Sequence, residues 1–129
     1  MTASGQKPAV LVINSHVARG AVGGRAGVFI LERLGWPVWS VPTVSLPWHP
    51  GHGRATRVVP EAGAFAAFLA DLGRAPWLGE VGAVMTGYLG EAGQAAPVAA
   101  LAERVRASFD PAGVFNPGRM VWNGGRKAA

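Results

Sequence analysis

The chain has 129 residues, of which 50% are hydrophobic and 15% charged, a balance that excludes a highly charged disordered polypeptide and fits a single domain. Cysteine is absent, which excludes a disulfide-stapled secreted scaffold, a thiolate zinc site and a cysteine nucleophile. The net charge of +5 comes largely from arginine, but basic and aromatic residues do not cluster in one stretch, so no nucleic-acid partner is expected.

The polar segment Met1 to Lys7 precedes only a short apolar run, Ala9 to Ile13. That run is too short for a signal peptide or a membrane span, so a cytoplasmic protein with no membrane partner is expected. It does not alternate, which predicts a strand buried on both faces of a parallel sheet. Asn14-Ser15-His16 bounds it. The glycine-rich stretch Gly20 to Gly24 reads either as a strand-to-helix turn or as a loop bordering a ligand. It lacks the Gly-Lys-Ser/Thr of a nucleotide P-loop and the dinucleotide fingerprint. Arg25 to Leu34 is predicted helical, with Val28, Leu31 and Leu34 on one face and Gly35 as the stop.

Val38 to Val41 is a second predicted strand. Thr43 to Arg57 is predicted to be a long loop, broken by Pro47, Pro50, Gly51 and Gly53; loops of that length are usually functional. Pro60 and Glu61 open a second helix, whose apolar face is predicted to be Ala62, Phe65, Phe68, Leu69 and Leu72. Ala83 to Thr86 is a third strand, closed by Gly87. Pro97 opens a third helix with Val98, Leu101, Ala102 and Val105 at helical spacing. From Ser108 onward the turn formers Asp110-Pro111 and Asn116-Pro117-Gly118 predict an irregular tail.

Strands alternating with helices predict an α/β fold with a parallel βαβ sheet between helical layers. Such sheets bind ligands beyond the carboxyl ends of their strands. Here those ends carry Asn14-Ser15-His16, Thr43 onward and Thr86-Gly87-Tyr88, so three polar clusters are expected on one edge.

Within these clusters Ser15 reads either as a hydrogen-bonding ligand contact or as a local cap. It is not read as a nucleophile, because no strained Gly-x-Ser-x-Gly turn surrounds it. His16, His49 and His52 are the three histidines. Pro50 and Gly51 deny the last two the helical geometry in which such a pair converges, so they read as polar loop residues near a ligand, and no metal site is expected. Carboxylates are scattered and no pair suggests acid–base work or Mg²⁺ binding, so no catalytic residue is assigned. Arg54 and Arg57 read as a solvated loop pair that could meet an anion.

Three segments resemble the signatures of one family, the pyridoxal kinases. Ile13-Asn14-Ser15-His16-Val17-Ala18-Arg19-Gly20, followed by Val22-Gly23, resembles the N-terminal signature. Thr43 to Gly53, containing Pro47-Trp48-His49-Pro50-Gly51-His52, resembles the substrate loop, and Thr86-Gly87-Tyr88-Leu89-Gly90 the third signature. The resemblance spans about residues 9–106. It implies a ribokinase-like three-layer fold, here truncated, and ATP-dependent phosphorylation of the pyridoxal 5′-hydroxyl. It also implies that Ser15 hydrogen-bonds the pyridoxal ring substituents. Pro50 and Gly51 then line the ring through backbone groups with His49 beside them, and Val22 and Tyr88 pack near the substrate. Where the family often has Phe, Asn and Thr, this chain has Leu46, Trp48 and Pro50, which removes polar side chains from the loop.

The family's ATP and Mg²⁺ site and its catalytic base, the Asp of a Gly-x-Gly-Asp motif, lie in the second half of the longer kinases; this sequence has no such motif. The expected role is therefore the substrate-binding half of a pyridoxal kinase, with residues 1–106 as the functional unit and the isolated chain inactive. Phe109 to Met120 resembles the C-terminal signature of FAD-linked oxidases of the glycolate oxidase kind, and residues 107–129 are expected to be an irregular tail. The alternatives are a non-catalytic vitamer-binding or self-associating fragment, with homodimers through an open sheet edge, and a flavin-oxidase fragment.

Overall fold

A computed structural model of the chain describes residues 5–109 and Ala112. Of the oxidase-like stretch and the predicted tail, all but residues 107–109, which end the last helix, and Ala112 lies outside the described residues. The elements run β1 (Ala9–Val17), α1 (Gly24–Arg33), β2 (Val38–Leu46), α2 (Ala62–Gly73), β3 (Val81–Thr86) and α3 (Ala95–Phe109), with short 3₁₀ turns at Pro50–His52, Leu78–Glu80 and Ala92–Gln94. The three strands form a parallel sheet in the order β2-β1-β3. The predicted alternation of strands and helices is present throughout.

β1 is central because it is apolar on both faces: Ala9, Val10, Leu11, Val12 and Ile13 are all buried. Ala9, Leu11 and Ile13 enter one core with Phe65 and Leu69 of α2 and Val98, Leu101 and Val105 of α3. On the opposite face α1 crosses the sheet, and a Cβ on Gly27 would lie 3.0 Å from Met85 Cε and 4.0 Å from Val12 Cγ1. The result is three layers, α1, sheet, and α2 with α3, the ribokinase-like α/β arrangement anticipated above. Among the described residues no helix is long and apolar enough to cross a membrane.

Helix ends follow their local chemistry. Glu61 caps α2: its carboxylate accepts from Gly63 N at 2.9 Å and Ala64 N at 2.8 Å. Those two bonds, Gly63 first, hold its pKa below the ordinary 4.5. α1 ends at Arg33, and Gly35 takes the left-handed φ of 77° that glycine accepts without strain. Lys7 donates to the Leu34 carbonyl at 2.6 Å and lies over the Trp36 ring.

Three expectations need correction. β1 extends through Val17, so Asn14, Ser15 and His16 belong to the strand. β2 runs to Leu46, so the first part of the predicted loop is extended strand. Its register slips between Asn14↔Pro42 and His16↔Ser45, a bulge that places one extra β2 residue opposite β1. Pro42 sits beside that bulge on an edge strand, where a missing N–H is tolerated. On α2, Phe65 and Leu69 are buried and Leu72 partly buried, but Ala62 and Phe68 point outward, so the apolar face is narrower than predicted.

Candidate functional site

The carboxyl ends of the strands do carry the three clusters together. Ile13 pairs with Thr86 and Gly87 N donates to Ile13 O at 2.9 Å, so the β1–β3 ladder continues one step past β3. Gly87 must be glycine-sized, because a Cβ there would lie 2.3 Å from Asn14 Cγ. With the carboxamide so close, Asn14 Oδ1 accepts both Ser15 N at 2.8 Å and Tyr88 N at 3.0 Å. Ser15 Oγ stands 3.5 Å from the same oxygen.

β2 grips the other side of the same segment. Thr43, fully buried, donates from Oγ1 to the Tyr88 carbonyl at 2.7 Å. Gln94, also buried, accepts Gly90 N at 2.7 Å and donates to the Thr43 carbonyl at 2.8 Å. Arg57 donates to the Gly90 carbonyl at 2.7 Å and reaches the Tyr88 hydroxyl at 3.4 Å. Arg57 therefore ties the long loop to the segment after β3, where the sequence suggested a solvated or anion-facing cation.

Ser15, with Asn14 and His16, lines an open groove of about 540 Å³ whose other wall includes Arg25, Val28 and Phe29 of α1 and Pro42 of β2. Gly23, at φ 57°, brings the backbone against Ser15: a Cβ there would lie 2.6 Å from Ser15 Oγ. Arg25 fixes the chain leaving β1 by donating to the Ala18 carbonyl at 2.9 Å. Val22 stands exposed on the turn between them.

His49, Pro50 and Gly51 form an exposed turn beyond β2. His49 Nδ1 accepts Gly51 N at 3.0 Å, which caps the turn and uses that ring nitrogen internally. Its ring meets His52 edge-on, with centroids 6.3 Å apart. Pro50 lines a second, smaller hollow with Leu46, Trp48, Gly53, Arg54, Ala55 and Arg57. Tyr88 is exposed, and the structure joins it to Ser15 through Asn14 and to the loop through Arg57. Ser15 and Tyr88 thus share one framework, whereas His49 to Gly51 and Val22 stand on separate turns.

Among the described residues, no group of three or more His, Asp or Glu is placed to hold a metal ion. Gly20 to Gly24 offers no lysine or hydroxyl for a nucleotide phosphate, and the N-cap of α1, Gly23, makes no side-chain cap bond. The described residues do not fit ATP and Mg²⁺.

Comparison with known proteins bears on the fold that carries these residues. No protein-family model matches the chain. The sequence is 39% identical over 106 residues to the pyridoxal kinase PdxY of Rubrobacter xylanophilus, covering 82% of this chain and 36% of that protein. It is 39% identical over 97 residues to PdxY of Deinococcus radiodurans, covering 75% of this chain and 33% of that protein. The structure of pyridoxal kinase from Leishmania donovani in complex with ADP and pyridoxamine superposes with a TM-score of 0.72 at 30% identity, over 81% of this chain and 37% of that one. Pyridoxal kinase from Trypanosoma brucei has the same fold, with a TM-score of 0.71 at 22% identity. The chain spans about a third of the length of the curated relatives it matches. Over most of its own length it is similar, in sequence and in fold, to that third of a pyridoxal kinase.

Proposed function

We propose that this chain is the vitamer-binding portion of a pyridoxal kinase, contributing to ATP-dependent phosphorylation of the pyridoxal 5′-hydroxyl. The observation that carries the reading is the bond from Tyr88 N to Asn14 Oδ1, which locks two of the three kinase-like segments into one frame. The solved relative from Leishmania donovani, whose complexes hold pyridoxamine or pyridoxine with ADP, supports the substrate class.

In this reading Ser15 Oγ offers a donor and an acceptor to the ring substituents. Val22 and Tyr88 supply apolar walls, and Pro50 and Gly51 present backbone groups with His49 beside them. Phosphoryl transfer depends mainly on positioning and charge stabilisation. This chain supplies positioning, and the nucleotide, Mg²⁺ and the catalytic base belong to residues outside it. The functional unit is residues 1–106, with 107–129 as a tail; that division lies in the last turns of α3, which runs to Phe109.

Isothermal titration with pyridoxal tests the assignment. The wild-type chain is expected to bind, and Ser15→Ala to bind about fivefold more weakly, the loss of one hydrogen bond worth about 1 kcal/mol. Binding indifferent to the substitution removes Ser15 from the site. Robust pyridoxal phosphorylation by this chain alone would overturn the division of labour.

A second reading, a self-associating module, is favoured by one observation. Among the described residues, β3 is an edge strand with Ala83 and Met85 exposed.

A further inference from the structure

We propose that Asn14 is a positioning residue: its carboxamide oxygen sets where Tyr88 stands relative to Ser15, and so sets the width of the vitamer site. The inference rests on the reading of that site as vitamer-binding, but its geometry is independent of any ligand.

Tyr88 is 57% exposed, yet its backbone is held on both sides. Its N–H donates to Asn14 Oδ1 at 3.0 Å and its carbonyl accepts from Thr43 Oγ1 at 2.7 Å. The two partners come from β1 and β2, so both strands determine the path of a segment that follows β3. Arg57 lies 3.4 Å from the phenol oxygen. Residues with that much exposure normally owe their position to little beyond their chain neighbours; here three other segments fix it.

Asn14 has the chemistry for the role. A carboxamide oxygen has two lone pairs, and this one receives Ser15 N at 2.8 Å as well as Tyr88 N. One atom therefore references both ligand-facing residues. Gly87 completes the fit, since any side chain there would occupy the volume of the carboxamide. Aspartate preserves the geometry, because its carboxylate accepts the same two N–H groups. Alanine leaves both N–H groups to solvent and removes the common reference.

Tyr88 is the only tyrosine of the chain, which makes the test direct. In the full chain labelled with 3-fluorotyrosine, the single ¹⁹F resonance is expected to move or broaden in Asn14→Ala and to keep its wild-type position in Asn14→Asp. Pyridoxal affinity is expected to fall about tenfold in Asn14→Ala and to recover to within about threefold in Asn14→Asp. A resonance unmoved in Asn14→Ala, or moved equally in both variants, overturns the proposal. If Asn14→Ala does not fold, the unsubstituted protein decides: with ¹⁵N-tyrosine the one amide must exchange slowly with solvent, and rapid exchange overturns the proposal. If the wild type binds no pyridoxal, the vitamer reading fails while the ¹⁹F and exchange results still judge Asn14.

Discussion

Gln94 and Thr43 stand 51 positions apart and are joined by a 2.8 Å hydrogen bond from Gln94 Nε2 to the Thr43 carbonyl. Through its other amide atom Gln94 accepts Gly90 N at 2.7 Å. Both residues are nearly inaccessible to water, so neither backbone group has solvent as a substitute partner.

Gln94→Leu is therefore expected to destabilise the fold by about 3 kcal/mol, since an unsatisfied buried donor or acceptor costs roughly 1–3 kcal/mol. Urea denaturation measures it as a lower midpoint at unchanged slope. A midpoint equal to wild type means that the Thr43 and Gly90 groups find other partners.

Gly87→Ala tests the close approach at the end of β3. A Cβ 2.3 Å from Asn14 Cγ cannot be accommodated without displacing the carboxamide. Overpacking of this kind costs about 1–3 kcal/mol. Tyr88 N loses its acceptor in the same step, so pyridoxal affinity is expected to fall with stability. Gly93→Ala, with nothing within 4 Å of the added methyl, is the control and is expected to be tolerated. Calorimetric melting and pyridoxal titration of the two variants separate these outcomes.

Much of this architecture is legible in the sequence, for a physical reason. Ala9 to Ile13 is apolar without alternation, and only a strand covered on both faces needs that. Thr86 closes β3 because the apolar run stops there, whereas β1 continues past its apolar run, so Asn14 lies within the strand and only its polar character was legible. The extent of β2 has no local signal: proline is uncommon inside strands, but Pro42 sits at a bulge on an edge strand, where it is tolerated. The clamp was hidden more deeply. A glutamine at the start of a helix gives no local signal that it bonds a strand 51 residues earlier. Arg57 looks like any loop arginine until the fold brings the Gly90 carbonyl to it.

Phe68 and Leu69 separate pattern from packing on α2. Leu69 is buried in the core with Leu11 and Leu101, whereas Phe68 is 53% exposed. Leu69→Ala is expected to cost about 2–5 kcal/mol, as buried leucine truncations do. Phe68→Ala is expected to stay within about 0.5 kcal/mol of wild type, the usual range for surface changes. Equal losses in chemical denaturation would place both side chains in the core.

Glu61 gives the fold a pH dependence of known sign. Its pKa is lowered in the folded chain by the N–H groups of Gly63 and Ala64. The ionised cap is therefore fully effective above the ordinary carboxyl value of 4.5 and is lost as pH falls through the depressed value. Glu61→Gln keeps an acceptor but has no proton to gain. Its stability is expected to fall less steeply over that acidic range than that of the wild type. Parallel acid unfolding curves for the two proteins would exclude the cap as a source of the dependence.

The outer edge of β3 is the last feature with a measurable consequence. Among the described residues, no strand pairs with it. The far end of the other edge strand is partly covered, because Ser45 and Val58 form an antiparallel bridge there. β3 itself, Val81 to Thr86, contains no charge and no proline. Natural sheets blunt open edges with such residues, especially lysine, because an uncharged edge templates pairing with another chain. Ala83 is exposed and opposite Val10 in the ladder, so lysine there leaves the core intact while charging the edge. The wild-type chain is expected to associate reversibly with rising concentration in sedimentation velocity, and Ala83→Lys to remain monomeric over the same range. Association unchanged by the lysine would move the contact to another surface, and a wild type that stays monomeric throughout would remove self-association altogether.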